Sequence, residues 1–206
     1  NALRDASAFV ETTAQQILSA EMIARIAEEI GESIIAARFH AERDTLAQRL
    51  NDLCWDEAEQ FYFDAGARAP RAKSVTAFWS LLAGIVSPER VRGLLSHLTR
   101  PTEFWRTHHL PSLAADHPAY KDRGAGMRGS VWPPHTYAII QGLERNGEHA
   151  LALRVADNHV TTLSHVWRET RTLWENYAPD FIEAGSIARP DFAPWAGLGP
   201  VSMLIE

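Results

Sequence analysis

Cysteine is the scarcest residue of this sequence. There is one, Cys54, in 206 residues, so no internal disulfide can brace the fold. No run approaches the roughly 18 consecutive apolar residues of a membrane span, and no basic-then-apolar leader opens the chain. Positive charge is in deficit: Lys and Arg number 20 against 26 acids, for a formal net charge of -6, and the basic residues are scattered. That lacks the basic footprint of a phosphate-backbone binder. The expected partners therefore include neither nucleic acid nor membrane, and the expected compartment is the cytoplasm. Internal repeats, low-complexity tracts and Gly/Ser linkers are also missing, so one domain is expected. The first residue is Asn1 rather than methionine, which leads us to expect a cut or partial chain.

What is present is hydrophobicity with a helical period. The apolar fraction, 46%, is enough for one core at this length, and strand-like alternation is nearly absent. The fold class expected is all-α, built of helical hairpins. Ile23, Ile26, Ala27 and Ile30 form one stripe before Gly31, and Phe39, Leu46, Leu50 and Leu53 form the next. Val75, Phe78, Trp79, Leu82 and Val86 mark a third helix. Ser87-Pro88 then reads as a helix start before Val91, Leu94, Leu95 and Leu98. A fifth helix is expected from Pro134 to Arg145, stopped by Asn146-Gly147, and a sixth through Val160, Leu163 and Trp167. A short seventh would start at Gly199-Pro200.

Two connections are long, Thr99 to Pro133 and Trp174 to Gly199. Both are rich in Trp, Pro, His, Asp and Glu, as functional loops are. Several chemistries find no support in them. No His-x3-His pair sits on a helix, and His108-His109 lie in a loop without a carboxylate at zinc spacing, so no metal is expected. Cys54 closes an apolar helix face in RLNDLCW and reads as inert core. Gly124 and Gly126 do not follow a strand, so no phosphate cradle and no cofactor is expected.

Glycoside hydrolysis asks for carboxylic side chains on either side of the scissile bond and flat aromatic faces for a sugar ring. Trp174-Glu175-Asn176-Tyr177 places a carboxylate between aromatics just past the sixth helix, and Trp132 and Trp195 head the flanking loops. The plain alternative is a solvated loop Glu with loop-packing tryptophans.

MRGSVWPPHTYAIIQGL, TLWENYAPD and FAPWAGLGPVSMLIE, in that order, resemble the C-terminal half of glycoside hydrolase family 63 and the mannosylglycerate hydrolase-like catalytic domains. LCWDEAEQFYFD, SVTAFWSLLAGIVSPE and HLTRPTEFWRTHHLPSLAADHPAY are similar to the same family's preceding hairpins. The resemblance implies part of an (α/α)6 toroid whose rim loops hold a terminal sugar, with hydrolysis by inversion. It implies that Glu175 is the general base. It further implies a sugar-binding rim of Arg128, Gly129, Trp132, Pro133 and His135, with Trp174, Tyr177 and Trp195 beside the base. The substrate implied is a terminal α-glucoside or α-mannoside.

The sequence departs from the family in two places. Met127 stands where an aromatic usually precedes the Arg, and the family's general acid, an Asp of the first half, has no match. The expectation is therefore the C-terminal half of an inverting α-glycosidase, which self-associates or pairs with the missing N-terminal half. Were an acid to lie within these residues, Asp180 and Asp191 would be the first candidates. The alternatives are a sugar phosphorylase or debranching enzyme on the same toroid, and a non-catalytic carbohydrate-binding or structural helical module.

Overall fold

The computed structural model describes residues 8–66, 71–192, 195–197 and 202–203. Within them six α-helices follow one another: α1 (Val10–Glu29), α2 (Ser33–Cys54), α3 (Trp79–Leu82, continuing a 3-10 turn over Val75–Phe78), α4 (Pro88–Leu98), α5 (Pro133–Arg145) and α6 (His149–Thr170). Two short strands, β1 (Trp55–Asp56) and β2 (Phe61–Tyr62), pair antiparallel after α2. Of the seventh helix of the sequence reading only Ser202 and Met203 are described, as helical, and Val201, Leu204 and Ile205 lie outside the described residues.

Helix limits follow the local signals. Ser87-Pro88 starts α4 with proline in the first turn, and Gly31 and Gly147, at φ 79° and 77°, end α1 and α5 in the left-handed conformation that glycine adopts at least cost. The third stripe is cut short: α3 stops at Leu82 because Gly84, at φ 65°, turns the chain before Val86.

Helix α1 packs on α2 and on α3, α3 packs on α5, and α5 on α6, so α1, α3 and α5 make one layer. The buried face of α1 differs from the expected isoleucine stripe. Val10, Ala14, Ile17, Ala20, Ala24 and Ala27 are buried, whereas Ile26 and Ile30 are 59% and 70% exposed. Small residues win the inner face because they let the neighbouring helices approach closely. The isoleucines instead form an open ridge with Met22 and Ile34 at the hairpin tip.

The main core lies between the layers. Phe61 stacks on Phe104 at 6.1 Å, and Phe78 meets both edge-on at 5.8 and 5.2 Å. Each such pair adds about 1 kcal/mol beyond its burial, and Phe104 thereby ties the long loop to the helices. Cys54 is buried at the α2–β1 junction, where burial first and the nearby Asp64 second push its thiol up to about 11. This fits the inert core residue read from RLNDLCW.

Helices α1, α3 and α5 run parallel, with their N-termini converging. Trp79 at the start of α3 donates its indole N–H to His135 Nδ1 in the first turn of α5 at 3.0 Å, and Glu11 of α1 lies 3.9 Å from the same nitrogen. Helix α6 returns antiparallel to α5, so its C-terminal end comes back to this rim. The two long loops begin or end there.

Candidate active site

The rim is assembled by backbone pairing between the two long loops. Val131 and Tyr177 exchange both main-chain hydrogen bonds at 2.9 and 3.0 Å. Tyr177 also bridges to Ala184 on its other side, and Gly185 N–H donates to the Asn176 carbonyl. The segment carrying Arg128 and the segment carrying Glu175 are thus neighbours in one small ladder, although 47 positions separate those residues (175 minus 128).

Each half of the ladder is fixed from behind. Ser112 Oγ accepts the Gly129 N–H at 3.0 Å and donates to the Gly126 carbonyl at 3.2 Å, while Ser112 N–H donates to the Ser130 carbonyl. Gly129 is obligatory: at φ 112° it is buried, and a Cβ there would stand 2.6 Å from the Lys121 carbonyl oxygen. Gly185 is constrained by side-chain packing alone, since a Cβ would sit 2.0 Å from Asn176 Oδ1.

On the other half, Tyr177 is fully buried, and its hydroxyl accepts the Trp174 N–H at 3.2 Å, bracing the chain across Glu175. The Glu175 N–H donates to the Arg189 carbonyl, and the Glu175 carbonyl accepts the Trp195 indole N–H at 3.4 Å. With its backbone so held, the partly exposed Glu175 carboxylate bonds to no described residue. Nor does the exposed guanidinium of Arg128.

The neighbouring acids are engaged. Asp180 takes Arg106 Nε at 2.7 Å and the Tyr120 hydroxyl at 3.1 Å, and Asp191 takes the Thr172 hydroxyl at 2.6 Å. Both oxygens of Asp180, the better-buried of the two fallback acids of the sequence reading, are thus occupied by Arg106 and Tyr120.

The remaining expected rim residues divide by exposure. Trp195 is 40% exposed, Trp132 and Trp174 are half-buried, and Pro133 is buried at the first turn of α5. Trp132 donates its indole N–H to the Gly126 carbonyl at 3.4 Å, and Trp174 donates to Thr170 Oγ1 at 3.2 Å. Trp195 also borders an apolar cleft of about 490 Å³, lined with Trp79, Leu82, Pro134, Tyr137 and Ala138. A second cleft of about 410 Å³ lies along α6 and contains none of these residues. Its aromatic, Trp105, is stacked by His109 at 3.6 Å and covered by Arg154.

His135 is neutral at the rim because burial pulls its pKa down from 6.5 to about 4. An indole N–H only donates, so Nδ1 must accept from Trp79, which leaves the proton on Nε2. The unfolded state binds the extra proton between those two pKa values. Stability from this group is therefore complete above about pH 6.5 and lost as pH falls toward 4, by about 3 kcal/mol in all. Urea unfolding of the wild type and of His135→Gln at pH 7, 5.5 and 4.5 should show the wild type losing its advantage with acid. Parallel losses in the two proteins would refute this.

Sequence reasoning missed Ser112, the Arg106–Asp180–Tyr120 triad and the contact of His108 with His159. Ser112 bonds to a distant part of its own loop, the other contacts join different loops or helices, and no spacing along the chain carries those signals.

Residues 3–185 match the mannosylglycerate hydrolase MGH1-like glycoside hydrolase domain. The chain belongs to that family. A family 63 mannosylglycerate hydrolase from Thermus thermophilus, solved with glucose, superposes with a TM-score of 0.79 at 19% identity, covering 95% of this chain and 44% of that one. The helices are accordingly hairpins of an (α/α)6-toroid fold, as the motifs implied. A probable mannosyl-oligosaccharide glucosidase of Schizosaccharomyces pombe is 23% identical over 84% of this chain and 23% of its own length. An uncharacterized protein of Borreliella burgdorferi is 24% identical over 85% of this chain and 38% of its own. The chain thus spans less than half the length of the relatives it matches.

Proposed function

We propose that this chain carries the base-bearing part of an inverting glycosidase that acts on a terminal α-glucoside or α-mannoside. The observation behind this reading is the Val131–Tyr177 ladder, which holds on one rim a Glu175 carboxylate and an Arg128 guanidinium that bond to no described residue. Glu175 removes a proton from the water that attacks the anomeric carbon, and the leaving oxygen is protonated by a carboxylic acid from outside these residues. The two carboxyl groups would stand roughly 6.5 to 9.5 Å apart, leaving space for the water.

Arg128 supplies a fork of N–H donors to sugar hydroxyls, and Trp132 and Trp195 supply aromatic faces. His135 Nε2–H is a further donor. Gly129, Pro133 and Tyr177 are buried, and so act by shaping and holding the rim rather than by touching the sugar. Trp174 braces the base from its half-buried position. The open ridge of Ile26, Ile30 and Ile34 supports pairing with a further part of the toroid, because monomers seldom leave such a surface bare. Without that cover, the same ridge supports self-association.

The test uses the protein at its full natural length on 4-nitrophenyl α-glucoside and α-mannoside, with the product anomer followed by proton NMR. Inversion requires the β-anomer first. Initial release of the α-anomer, or turnover that needs phosphate, would refute the mechanism. Arg128→Ala and Trp132→Ala should each weaken a sugar-mimetic inhibitor by about 1–3 kcal/mol without lowering the melting temperature.

A further inference from the structure

Arg128 stands on the rim with an exposed guanidinium that bonds to no described residue, so its place is set by its backbone. That backbone lies in a tight loop. The Arg128 carbonyl accepts the Lys121 N–H at 3.0 Å, and the Arg128 N–H donates to the Ala125 carbonyl at 3.3 Å. Gly129, the next residue, is bonded by Ser112 Oγ and packed by the Tyr120 ring: a Cβ on Gly129 would stand 3.0 and 3.1 Å from Tyr120 Cε2 and Cδ2. A bare Cα is what lets an aromatic ring come this close.

The ring is tethered through its hydroxyl. Tyr120 donates to Asp180 Oδ2 at 3.1 Å, and Asp180 Oδ1 accepts Arg106 Nε at 2.7 Å. Arg106 is anchored in turn, its Nη1 donating to the Pro101 carbonyl at 2.7 Å, where the long loop leaves α4. The main chain at Asp180 is gripped as well. Its N–H donates to the Asp122 carbonyl at 3.2 Å, and the Pro179 carbonyl before it accepts the His108 N–H at 2.8 Å. Burial first and Asp180 second push the pKa of Tyr120 up, so the hydroxyl keeps its proton and donates.

We propose that Tyr120 is a positioning residue for Arg128, its ring held against Gly129 by an Asp180 carboxylate that Arg106 fixes. This deepens the reading of Arg128 as a sugar-holding residue and rests on it.

A phenylalanine would pack on Gly129 as well, without the cost of desolvating a hydroxyl beside a carboxylate. What the hydroxyl adds is direction, since a ring bonded at its tip cannot slide along the glycine. Asp180 follows Glu175 in the same loop, so this bond joins the segment of the base to the turn of Arg128. The other ties between the two segments include the Val131–Tyr177 pair and the Ser186 N–H on the Arg123 carbonyl. Those are main-chain bonds, and neither involves Arg128 or Gly129.

The test is a double-mutant cycle on the full-length protein, read by calorimetric titration with 1-deoxynojirimycin and 1-deoxymannojirimycin, iminosugars of the two sugars proposed. Tyr120→Phe keeps the ring and removes only the tether. It should weaken binding about five- to tenfold, the scale of one hydrogen bond to a charged group. In the Arg128→Ala background the same change should cost less than about twofold, because the place of an absent guanidinium cannot matter. A tyrosine that only stabilises the loop would lower the melting temperature and weaken binding by the same factor in both backgrounds. That result, or no loss from Tyr120→Phe alone, overturns the proposal and leaves Arg128 as a sugar ligand. Arg128→Ala that binds as wild type does, or a wild type that binds neither iminosugar, refutes the rim assignment itself and the proposal with it. Turnover plays no part in this readout, so the role of Glu175 is tested separately.

Discussion

Glu175→Gln in the full-length protein is expected to abolish hydrolysis, with kcat falling on the order of 10²–10⁴-fold. The amide is isosteric with the carboxyl group but cannot accept the proton of the attacking water. Because the Glu175 carboxylate bonds to no described residue, the substitution removes no hydrogen bond or ion pair among the described residues. Melting temperature and affinity for a sugar-mimetic inhibitor should both stay at the wild-type level. This combination distinguishes a base from a structural glutamate, whose loss would lower stability and activity together. Activity within about tenfold of wild type would remove Glu175 from the mechanism.

The largest loss of stability is expected at Glu103, which no motif singled out. Its carboxylate is buried where the long loop leaves α4, with Oε1 taking Lys73 at 3.0 Å and Arg100 at 2.6 Å, and Oε2 taking His97 Nδ1 at 2.6 Å. Burial alone would raise its pKa, but the bonds from His97, Lys73 and Arg100 outweigh burial and leave it lowered. Stability from this group is thus present above the ordinary carboxylate range and lost as pH falls through it. Glu103→Leu leaves His97 Nδ1, on a ring 5% exposed, without its partner, and leaves Lys73, 17% exposed, with only Glu59 at 3.3 Å as counter-charge. Breaking a buried pair this way costs about 3–5 kcal/mol, with the lower figure expected because Arg100 can turn to water. Denaturant unfolding at pH 7 measures it; a change below about 1 kcal/mol would mean the cluster contributes no more than a surface pair.

The helices were largely legible in the sequence because their signals are local. Ser87-Pro88, Asn146-Gly147 and Gly31 act within a turn or two, and they place the end of α1, the start of α4 and the end of α5 to within a residue or two, whereas the start of α1 at Val10 lies well before the Ile23 stripe. What misled on α1 was side-chain size: periodicity marks both the isoleucine and the alanine stripe, and only packing against α2 and α3 selects the alanines. Val86 failed for a local reason that spacing ignores, the left-handed Gly84 ahead of it.

The rim was legible as composition and motif but not as geometry. Trp132, Glu175 and Trp195 stand out as residue types in long loops, yet nothing along the chain says that Val131 pairs with Tyr177. Nor could exposure be read: Tyr177 looks like a stacking aromatic in Glu-Asn-Tyr, and its burial depends on residues of α6 and of the loop after α4. Ser112 and His108 were invisible as site residues because their partners lie far along the sequence.

Cys54 gives the protein an internal reporter. Its thiol is the sequence's one sulfhydryl, 3% exposed, held up at about 11, and within 3.8 Å of the Ala8 carbonyl. A disulfide reagent can modify it only when the junction of α2, β1 and the Ala8–Ala65 bridge opens. Labelling kinetics of this 206-residue chain therefore time the undocking of the first hairpin, with no engineered probe and no second thiol within it to confuse the trace.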